Sequence, residues 1–180
     1  MKIAPTKLAG CFVLTPTVFS DERGSFFESF NQQAFLEKTG IEASFVQDNQ
    51  SISQRGVVRG LHFQKGAFSQ AKLVRVIKGS VLDVAVDLRK NSTTFGQHFS
   101  CILSEEKNTQ LFVPRGFAHG FSVLENDTIF SYKCDNYYNL ASESGIIYND
   151  PQLDIDWMLP ESEMVVSEKD RRLKMLKEVI

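Results

Sequence analysis

The feature that most constrains this chain is a succession of short strand-like segments separated by turn residues. Eight of them follow one another, at residues 43–49, 56–63, 71–77, 80–88, 95–103, 110–113, 119–124 and 128–132. No helical pattern between them is long enough for the crossover that joins parallel strands. The sequence therefore predicts an all-β protein whose antiparallel strands form a sandwich or a barrel.

One hairpin indicates which side chains would line such a barrel. The runs AKLVRVI and VLDVAVDL both alternate around the turn KGS, as hairpin strands do. Within the second run one face carries Leu82, Val84, Val86 and Leu88, and the other carries Val81, Asp83, Ala85 and Asp87. Two carboxylates among apolar residues favour a polar-lined interior, although two solvated aspartates on an outer face fit the same pattern.

Short helices are predicted only at the periphery. Asn31 is placed to cap the run QQAFLEKTG, and Gly40 is suited to end it. Near the end of the chain, residues 167–170 have the spacing of a capping box, and the pattern predicts a helical run from there to Ile180. Internal repeats and linkers are absent from the sequence, so residues 1–180 are predicted to form a single domain.

Composition excludes several classes of function. The 180 residues include 20 Lys and Arg against 22 Asp and Glu, a net charge of −2, which offers no general field for nucleic acid. No apolar run is long enough to cross a membrane, and the N-terminus makes a poor signal peptide, so we expect a cytoplasmic protein. The widely spaced Cys11, Cys101 and Cys134 are predicted to be buried free thiols rather than a disulfide framework.

The three histidines do not form a metal motif. The segment PRGFAH, which contains His119, has a P-x-G-x-x-H spacing that resembles the second motif of the cupin superfamily of double-stranded β-helix barrels. Metal-binding cupins carry two histidines one residue apart in an earlier motif, whereas RGLHFQ supplies His62 alone. His98 lies in an unrelated segment. We therefore predict no metal site.

Longer segments resemble one family. They are SDERGSFFESFNQ, FVQDNQS, VVRGLHFQ, SQAKLVRVIKGSVLDVAVDLRK, FGQ, LFVPRGFAHGFSVL, YKCDNYY, DPQLDIDW and SEKD. Their order and spacing are similar to those of the dTDP-4-dehydrorhamnose 3,5-epimerase family over nearly the whole chain. The resemblance implies a cupin jelly-roll barrel with short peripheral helices, no cofactor, and a homodimer whose strands cross between subunits.

The resemblance also implies a reaction and the residues that perform it. The family inverts carbons 3 and 5 of a 4-keto-6-deoxy sugar attached to dTDP, which requires a base on one face of the sugar and an acid on the other. His62 matches the base and Tyr132 the acid. Asp170 matches the carboxylate that partners the base, although Asp83 is a second carboxylate that could approach it. Lys72 matches the residue that stabilises the enolate oxygen.

Other positions match substrate contacts. Arg23 and Arg59 match the residues that bind the diphosphate, for which a guanidinium is suited. Tyr138 matches the ring that stacks on thymine, and Phe26 is a further candidate for packing against the base. The remaining matches, which line the nucleotide and sugar pocket, are Glu28, Gln47, Asp48, Asn49, His119, Glu143 and Lys169.

The expected function is thus conversion of dTDP-4-dehydro-6-deoxy-D-glucose to dTDP-4-dehydro-L-rhamnose in dTDP-rhamnose biosynthesis. Two alternatives stay open. One is an epimerase acting on a single carbon, or a ketoisomerase, of another dTDP-deoxysugar pathway. The other is a cupin that binds sugar nucleotides without catalysis, although His62 and Tyr132 are both present.

Overall fold

The computed structural model of the protein describes residues 1–179, which are mostly strands. The strands are β1 (Lys2–Pro5), β2 (Phe12–Thr15), β3 (Phe19–Asp21), β4 (Gly24–Phe26), β5 (Gln47–Ser53), β6 (Val57–Gln64), β7 (Lys72–Lys78), β8 (Ser80–Asp87), β9 (His98–Ser104), β10 (Gln110–Val113), β11 (Phe117–Val123), β12 (Thr128–Cys134), β13 (Glu143–Gly145) and β14 (Val165–Val166). The helices are α1 (Gln32–Thr39), α2 (Glu168–Arg171) and α3 (Leu176–Val179).

Two sheets face each other. One has the order β1-β2-β10-β7-β12-β5, and the other has the order β13-β6-β11-β8-β9, with β14 added beside β6. Except for the parallel β14–β6 pair, the strand pairs are antiparallel, and most neighbours are far apart along the chain. The expected cupin-type jelly roll with short peripheral helices is confirmed.

The core has three parts. Between the sheets lies a cluster that includes Val74, Val81, Phe121 and Phe130. Behind the sheet that contains β6 and β8, the C-terminal third of the chain packs around Trp157, and behind the sheet that contains β7 and β10, α1 packs through Phe35. Each fully buried side chain of this size contributes about 1.5–3 kcal/mol. Both sheets are therefore covered on their outer faces.

The hairpin β7–β8 has the faces that the alternation predicted. Asp83 and Asp87 are both fully buried and lie on the inner face of β8, so the interpretation as solvated aspartates is wrong. Asp87 accepts hydrogen bonds from the Arg89 guanidinium and the Ser92 hydroxyl. Burial alone would raise its pKa, but these bonds lower the pKa to about 2.

Helix α1 is confirmed, whereas the predicted C-terminal run is only partly helical. Asn31 accepts a hydrogen bond from the Ala34 amide, and Gly40 ends α1 with a φ of 70°. The tail divides into α2 and α3, because Lys174 between them bridges to Ile146 and therefore leaves the helical path. Ile180, the last residue of the predicted run, lies outside the described residues.

Cys11, Cys101 and Cys134 are free thiols, as predicted, with Cys101 only partly buried. Burial raises the pKa of Cys11 to about 12. Within residues 1–179, none of the helices has the length and hydropathy needed to cross a membrane.

Candidate active site

The central pair of the site is His62 on β6 and Asp170 on α2. Nε2 of His62 and Oδ1 of Asp170 lie 2.7 Å apart, so the two side chains are hydrogen-bonded. The imidazole is 31% exposed, while the carboxylate is only 5% exposed. Because Nε2 is used by Asp170, Nδ1 is the ring nitrogen left to accept a proton from a ligand. The structure pairs His62 with Asp170 and not with Asp83.

The start of α2 fixes Asp170. Ser167 caps this helix and accepts a hydrogen bond from the Asp170 amide, as the capping-box spacing predicted. The Asp170 side chain reaches the sheet, where Oδ2 accepts a hydrogen bond from the Gly60 amide at 3.2 Å. Burial would raise the pKa of Asp170, but the bonds from His62 and Gly60 hold it below its ordinary value. The carboxylate therefore stays ionised beside the imidazole.

A register shift in β6 brings His62 and Arg59 to the same side of the sheet. Residues three apart on a regular strand point to opposite faces. Here His62 pairs with His119 of β11 and Arg59 pairs with Phe121, so β6 has one residue more than β11 between the two pairs. This bulge reverses the alternation, and both side chains line the barrel interior.

The bulge depends on two glycines that face each other. Gly60 has a φ of 120°, and a Cβ at that position would lie 2.6 Å from the Gly120 Cα. A Cβ on Gly120 would lie 2.6 Å from the Arg59 carbonyl oxygen. Side chains at either position would therefore push β6 away from β11 and displace the Gly60 amide from Asp170.

Lys72 and Tyr132 come from the opposite sheet. Lys72 begins β7 on the same face as the core residues Val74 and Val76, and Tyr132 follows Phe130 on β12. The Lys72 ammonium lies 5.8 Å from the centre of the Tyr132 ring. Burial lowers the pKa of Lys72 and raises that of Tyr132. The phenol therefore remains protonated at neutral pH, and the lysine is a stronger proton donor than a solvated one.

Two adjoining cavities, of about 280 and 320 Å³, meet at these side chains. Both are lined by His62 from one sheet and by Lys72, Tyr132 and Asn49 from the other. The smaller cavity opens toward Tyr138, and the larger one extends toward Arg59. A ligand that spans both would pass between the base candidate and the acid candidate.

His119 forms a second histidine–aspartate pair deeper in the barrel. Its Nε2 lies 2.9 Å from Oδ2 of Asp83, and the two side chains are 6% and 0% exposed. The ring is also stacked on Phe130, with centroids 6.2 Å apart. This pair lines the larger cavity through His119. The sequence alternation placed Asp83 inside the barrel but did not identify its partner.

Tyr138 and Glu143 form the rim of the smaller cavity, and Lys169 is bound to Glu143 from outside it. Tyr138 donates a hydrogen bond from its hydroxyl to Oε2 of Glu143 at 2.9 Å, and Lys169 donates to Oε1 at 2.6 Å. Burial would raise the pKa of Glu143, but these two bonds lower it. Inside the rim, Gln47 donates a hydrogen bond to Oδ1 of Asn49 at 3.0 Å. These five side chains therefore lie together at one end of the barrel.

Four predicted contacts lie outside these cavities. Asp48 points to the other face of β5, because neighbours on a strand alternate, and pairs there with Lys133. Arg23 and Phe26 lie on the β3–β4 ribbon, where Arg23 pairs with Asp21. Glu28 follows the ribbon and accepts a hydrogen bond from Asn31. Within one chain, the structure does not bring these residues to His62.

Several polar residues that no sequence motif indicated also lie at the site. Gln64 and Gln70 line the smaller cavity, and Ser51 lines the larger one. The Ser51 hydroxyl is buried and has no hydrogen-bond partner among the described residues. Alternation with Asn49 along β5 was the signal that could have identified Ser51. Over residues 1–179, no group of three His, Cys, Asp or Glu side chains is placed to hold a metal ion.

Comparison with known proteins identifies one family. The family model described as dTDP-4-dehydrorhamnose 3,5-epimerase matches residues 5–178. A protein of Escherichia coli (strain K12) with that name is 49% identical over 180 residues, which cover 100% of this chain and 97% of the relative.

Solved structures agree in fold as well as in sequence. The crystal structure of dTDP-4-dehydrorhamnose 3,5-epimerase from Elizabethkingia anophelis NUHP1 has a TM-score of 0.97 and 53% identity, covering 99% of this chain and 97% of the other. The dTDP-6-deoxy-D-glucose-3,5-epimerase of Legionella pneumophila Philadelphia 1, in complex with dTDP-4-keto-L-rhamnose, has a TM-score of 0.94 and 47% identity, covering 99% and 94%.

Proposed function

The chain belongs to the dTDP-4-dehydrorhamnose 3,5-epimerase family, and we propose that it epimerises its sugar between His62 on one sheet and Tyr132 on the other. The substrate is dTDP-4-dehydro-6-deoxy-D-glucose, and the product is dTDP-4-dehydro-L-rhamnose. The observation that carries this mechanism is the position of the two side chains on opposite walls of the same two cavities. Inversion at a carbon requires that one face loses a proton and the other face gains one.

The first step uses His62. A proton on carbon 3 or 5 lies next to the ketone at carbon 4, so its removal leaves an enolate rather than an isolated carbanion. Nδ1 of His62 takes the proton, and the ionised Asp170 stabilises the imidazolium and holds the ring in place. Asp170 therefore acts on the base and not on the sugar.

Lys72 and Tyr132 complete the inversion. The Lys72 ammonium donates a hydrogen bond to the enolate oxygen, where its lowered pKa makes it an effective donor. The Tyr132 phenol gives its proton to the opposite face of the same carbon and is left as phenolate. Solvent then returns a proton to Tyr132 and removes one from His62, which restores the starting state for the next carbon.

The nucleotide occupies the ends of the cavities. Arg59 is placed for the diphosphate, with His119 beside it for a sugar hydroxyl, while Tyr138 at the rim is placed to stack on thymine. Gln47 and Asn49 offer amide groups to the nucleotide or sugar. Glu143 accepts a hydrogen bond from the Tyr138 hydroxyl, and Lys169 donates one to Glu143.

Turnover in deuterated water tests the reaction directly. We expect label at carbons 3 and 5 of the recovered sugar, detected by NMR, because each returned proton comes from solvent. Label at carbon 3 alone would assign the chain to the single-carbon epimerases instead. A reaction without enzyme controls for spontaneous exchange, and absence of any label above that control would indicate a protein that only binds the sugar nucleotide.

We further propose that a second copy of the chain supplies the missing contacts. The β3–β4 ribbon pairs with neither sheet, and Phe19 and Phe26 on it are 64% and 72% exposed. The Arg23 side chain is 85% exposed. Phe19 and Phe26 are paired across the ribbon, and contiguous exposed apolar side chains mark interaction sites. The ribbon is therefore suited to cross into the cavity of a partner in a homodimer. Arg23, Phe26 and Glu28 would then face that partner's ligand.

Mixing two inactive variants tests this arrangement. Arg23→Ala and His62→Ala chains, unfolded and refolded together, should recover about a quarter of the wild-type activity, since half the dimers are mixed and each has one intact site. Each variant refolded alone is the control. If the mixture stays as inactive as the separate variants while light scattering shows dimers, the ribbon does not cross between copies.

A further inference from the structure

The segment that carries Tyr138 belongs to none of the strands of residues 1–179, and side-chain amides bind its backbone. Residues 135–139 connect β12 to a short 3-10 turn at Leu140–Ser142. At the centre is Gln64, which is 7% exposed. Its Nε2 donates hydrogen bonds to the Tyr137 carbonyl at 3.1 Å and to the Phe68 carbonyl at 2.7 Å. Its Oε1 accepts one from the Asn139 amide at 2.6 Å.

Two more glutamines extend this arrangement on either side. Oε1 of Gln47 accepts a hydrogen bond from the Tyr138 amide at 3.0 Å, and Nε2 of Gln70 donates to the Asn136 carbonyl at 2.7 Å. Backbone groups of residues 136–139 are therefore bound by side chains that come from β5, from the end of β6 and from the residue two before β7. Residues 136–139 are thus fixed to the barrel wall mainly by side chains, whereas Asp135 still donates its backbone N–H to the Ala71 carbonyl.

We propose that Gln64 is a positioning residue, which holds the Tyr138 ring at the base-binding end of the cavity and thereby sets the affinity for dTDP. This inference rests on the proposed function, in which that ring stacks on thymine. The ring itself is 54% exposed, so little except its backbone and the Glu143 bond keeps it in place. A loop that is ordered before binding avoids the entropy cost of ordering it on the ligand.

Gln64 lines the cavity, but its hydrogen bonds to the backbone leave no amide hydrogen free to donate to a ligand. An amide nitrogen has two hydrogens, and both are used by the Phe68 and Tyr137 carbonyls. The oxygen already accepts the short bond from Asn139. The donors of Gln64 are thus fully engaged by backbone, and its effect on the nucleotide passes through the loop.

A double-mutant cycle on dTDP binding separates these roles. Gln64→Met keeps the side-chain volume and removes all three bonds, so we expect the Kd for dTDP, measured by calorimetry, to rise about tenfold. In a Tyr138→Ala background the same substitution should change the Kd less than twofold, because the ring it positions is already gone. Gln54→Met is the matched control, since Gln54 bonds to Asp127 away from the cavities.

Several results would overturn the proposal. An unchanged Kd in Gln64→Met shows that the bonds do not matter for the nucleotide, and an equal loss in both backgrounds shows that Gln64 does not act through Tyr138. If Gln64→Met does not fold, Gln64→Glu takes its place in the cycle, because it keeps an oxygen for Asn139 while it loses both donors. The expected and contradictory outcomes for Gln64→Glu are the same.

The cycle and the proposed function fail in different ways. Binding of dTDP is measured without turnover, so a protein that shows the coupling but incorporates no deuterium would retain the positioning role and lose the proposed reaction. A protein that incorporates label at both carbons but shows additive Kd changes would retain the reaction and lose the role of Gln64.

Discussion

The barrel contains two histidine–aspartate pairs of nearly equal geometry and very different surroundings. In His62–Asp170 the nitrogen and oxygen are 2.7 Å apart, and in His119–Asp83 they are 2.9 Å apart. The first pair joins a strand to the start of a helix and leaves the imidazole 31% exposed. The second joins neighbouring strands of one sheet, with the imidazole 6% exposed.

Under the proposed roles, solvent access rather than the pair itself distinguishes the proton-transfer group from the fixed one. A base that must release its proton after each turnover needs contact with water. His62 has that contact, whereas His119 is enclosed by Phe130 and the sheet. His119 is thus suited to orient a sugar hydroxyl, and Asp83 fixes it from a rigid strand.

Removal of the partly exposed His62 imidazole should have the largest effect on activity. His62→Ala is expected to lower kcat about 10³-fold, the range for loss of a general base, with the Kd for dTDP changed less than threefold. The side chain is partly exposed, so the melting temperature should change little. Turnover and calorimetry check the two parts. Unchanged turnover in a folded His62→Ala protein would refute the assignment of the base.

Loss of the charge beside the base should have the next largest effect. Asp170→Asn is expected to lower kcat about 10²-fold, because the amide orients the imidazole without stabilising its protonated form. The KM should change much less than kcat, since Asp170 does not touch the sugar. Steady-state kinetics give both values, and a change confined to KM would contradict the role proposed for Asp170.

The same substitution in the enclosed pair should affect stability more than rate. Asp83→Asn leaves a buried histidine with a weaker partner, so we expect the free energy of unfolding to fall by about 2 kcal/mol. The loss in kcat should be smaller than that of Asp170→Asn. Urea unfolding and kinetics on the same samples test the contrast, which fails if the two variants lose equal activity.

The smallest expected effect is a dependence of stability on pH. Because the pKa of Asp170 is lowered in the folded protein, its carboxylate stabilises the fold above its ordinary value of 3.8. That contribution is lost as the pH falls through the lowered pKa. The difference in unfolding free energy between wild type and Asp170→Asn should therefore shrink as the pH falls below 3.8. A difference that grows below pH 3.8 would reverse the sign of the pKa shift.

Strand pattern predicted much of the barrel but could not predict the pairing of its polar groups. Alternation along β8 gave the buried face of Asp83 correctly. The link between His62 and Asp170 spans 108 residues, and no local rule connects them, so only the family resemblance indicated it. The alternative partner Asp83 was equally acceptable to the pattern and is bound to His119 instead.

Other features were hidden because they break the periodicity. Arg59 and His62 should face opposite sides by alternation, and the bulge between them depends on how β6 meets β11. The pattern from residue 167 onward predicted one helix. In the structure the Leu176 amide donates a hydrogen bond to the Asp150 carboxylate, and this contact sets the start of α3. In the sequence Gln64 looks like an ordinary polar residue at the end of a strand. Its three hydrogen bonds could not be predicted, because their partners lie beyond the strand or far along the chain.

The facing glycines of β6 and β11 have a consequence for altering the substrate range. Gly60 and Gly120 form a stretch of wall made only of backbone, and each position is closed to a side chain by the other strand. Most members of a library that is randomised at either position would therefore misfold. Diversity is better placed at Ser51, whose hydroxyl is unpaired among the described residues and whose side chain lines the same cavity.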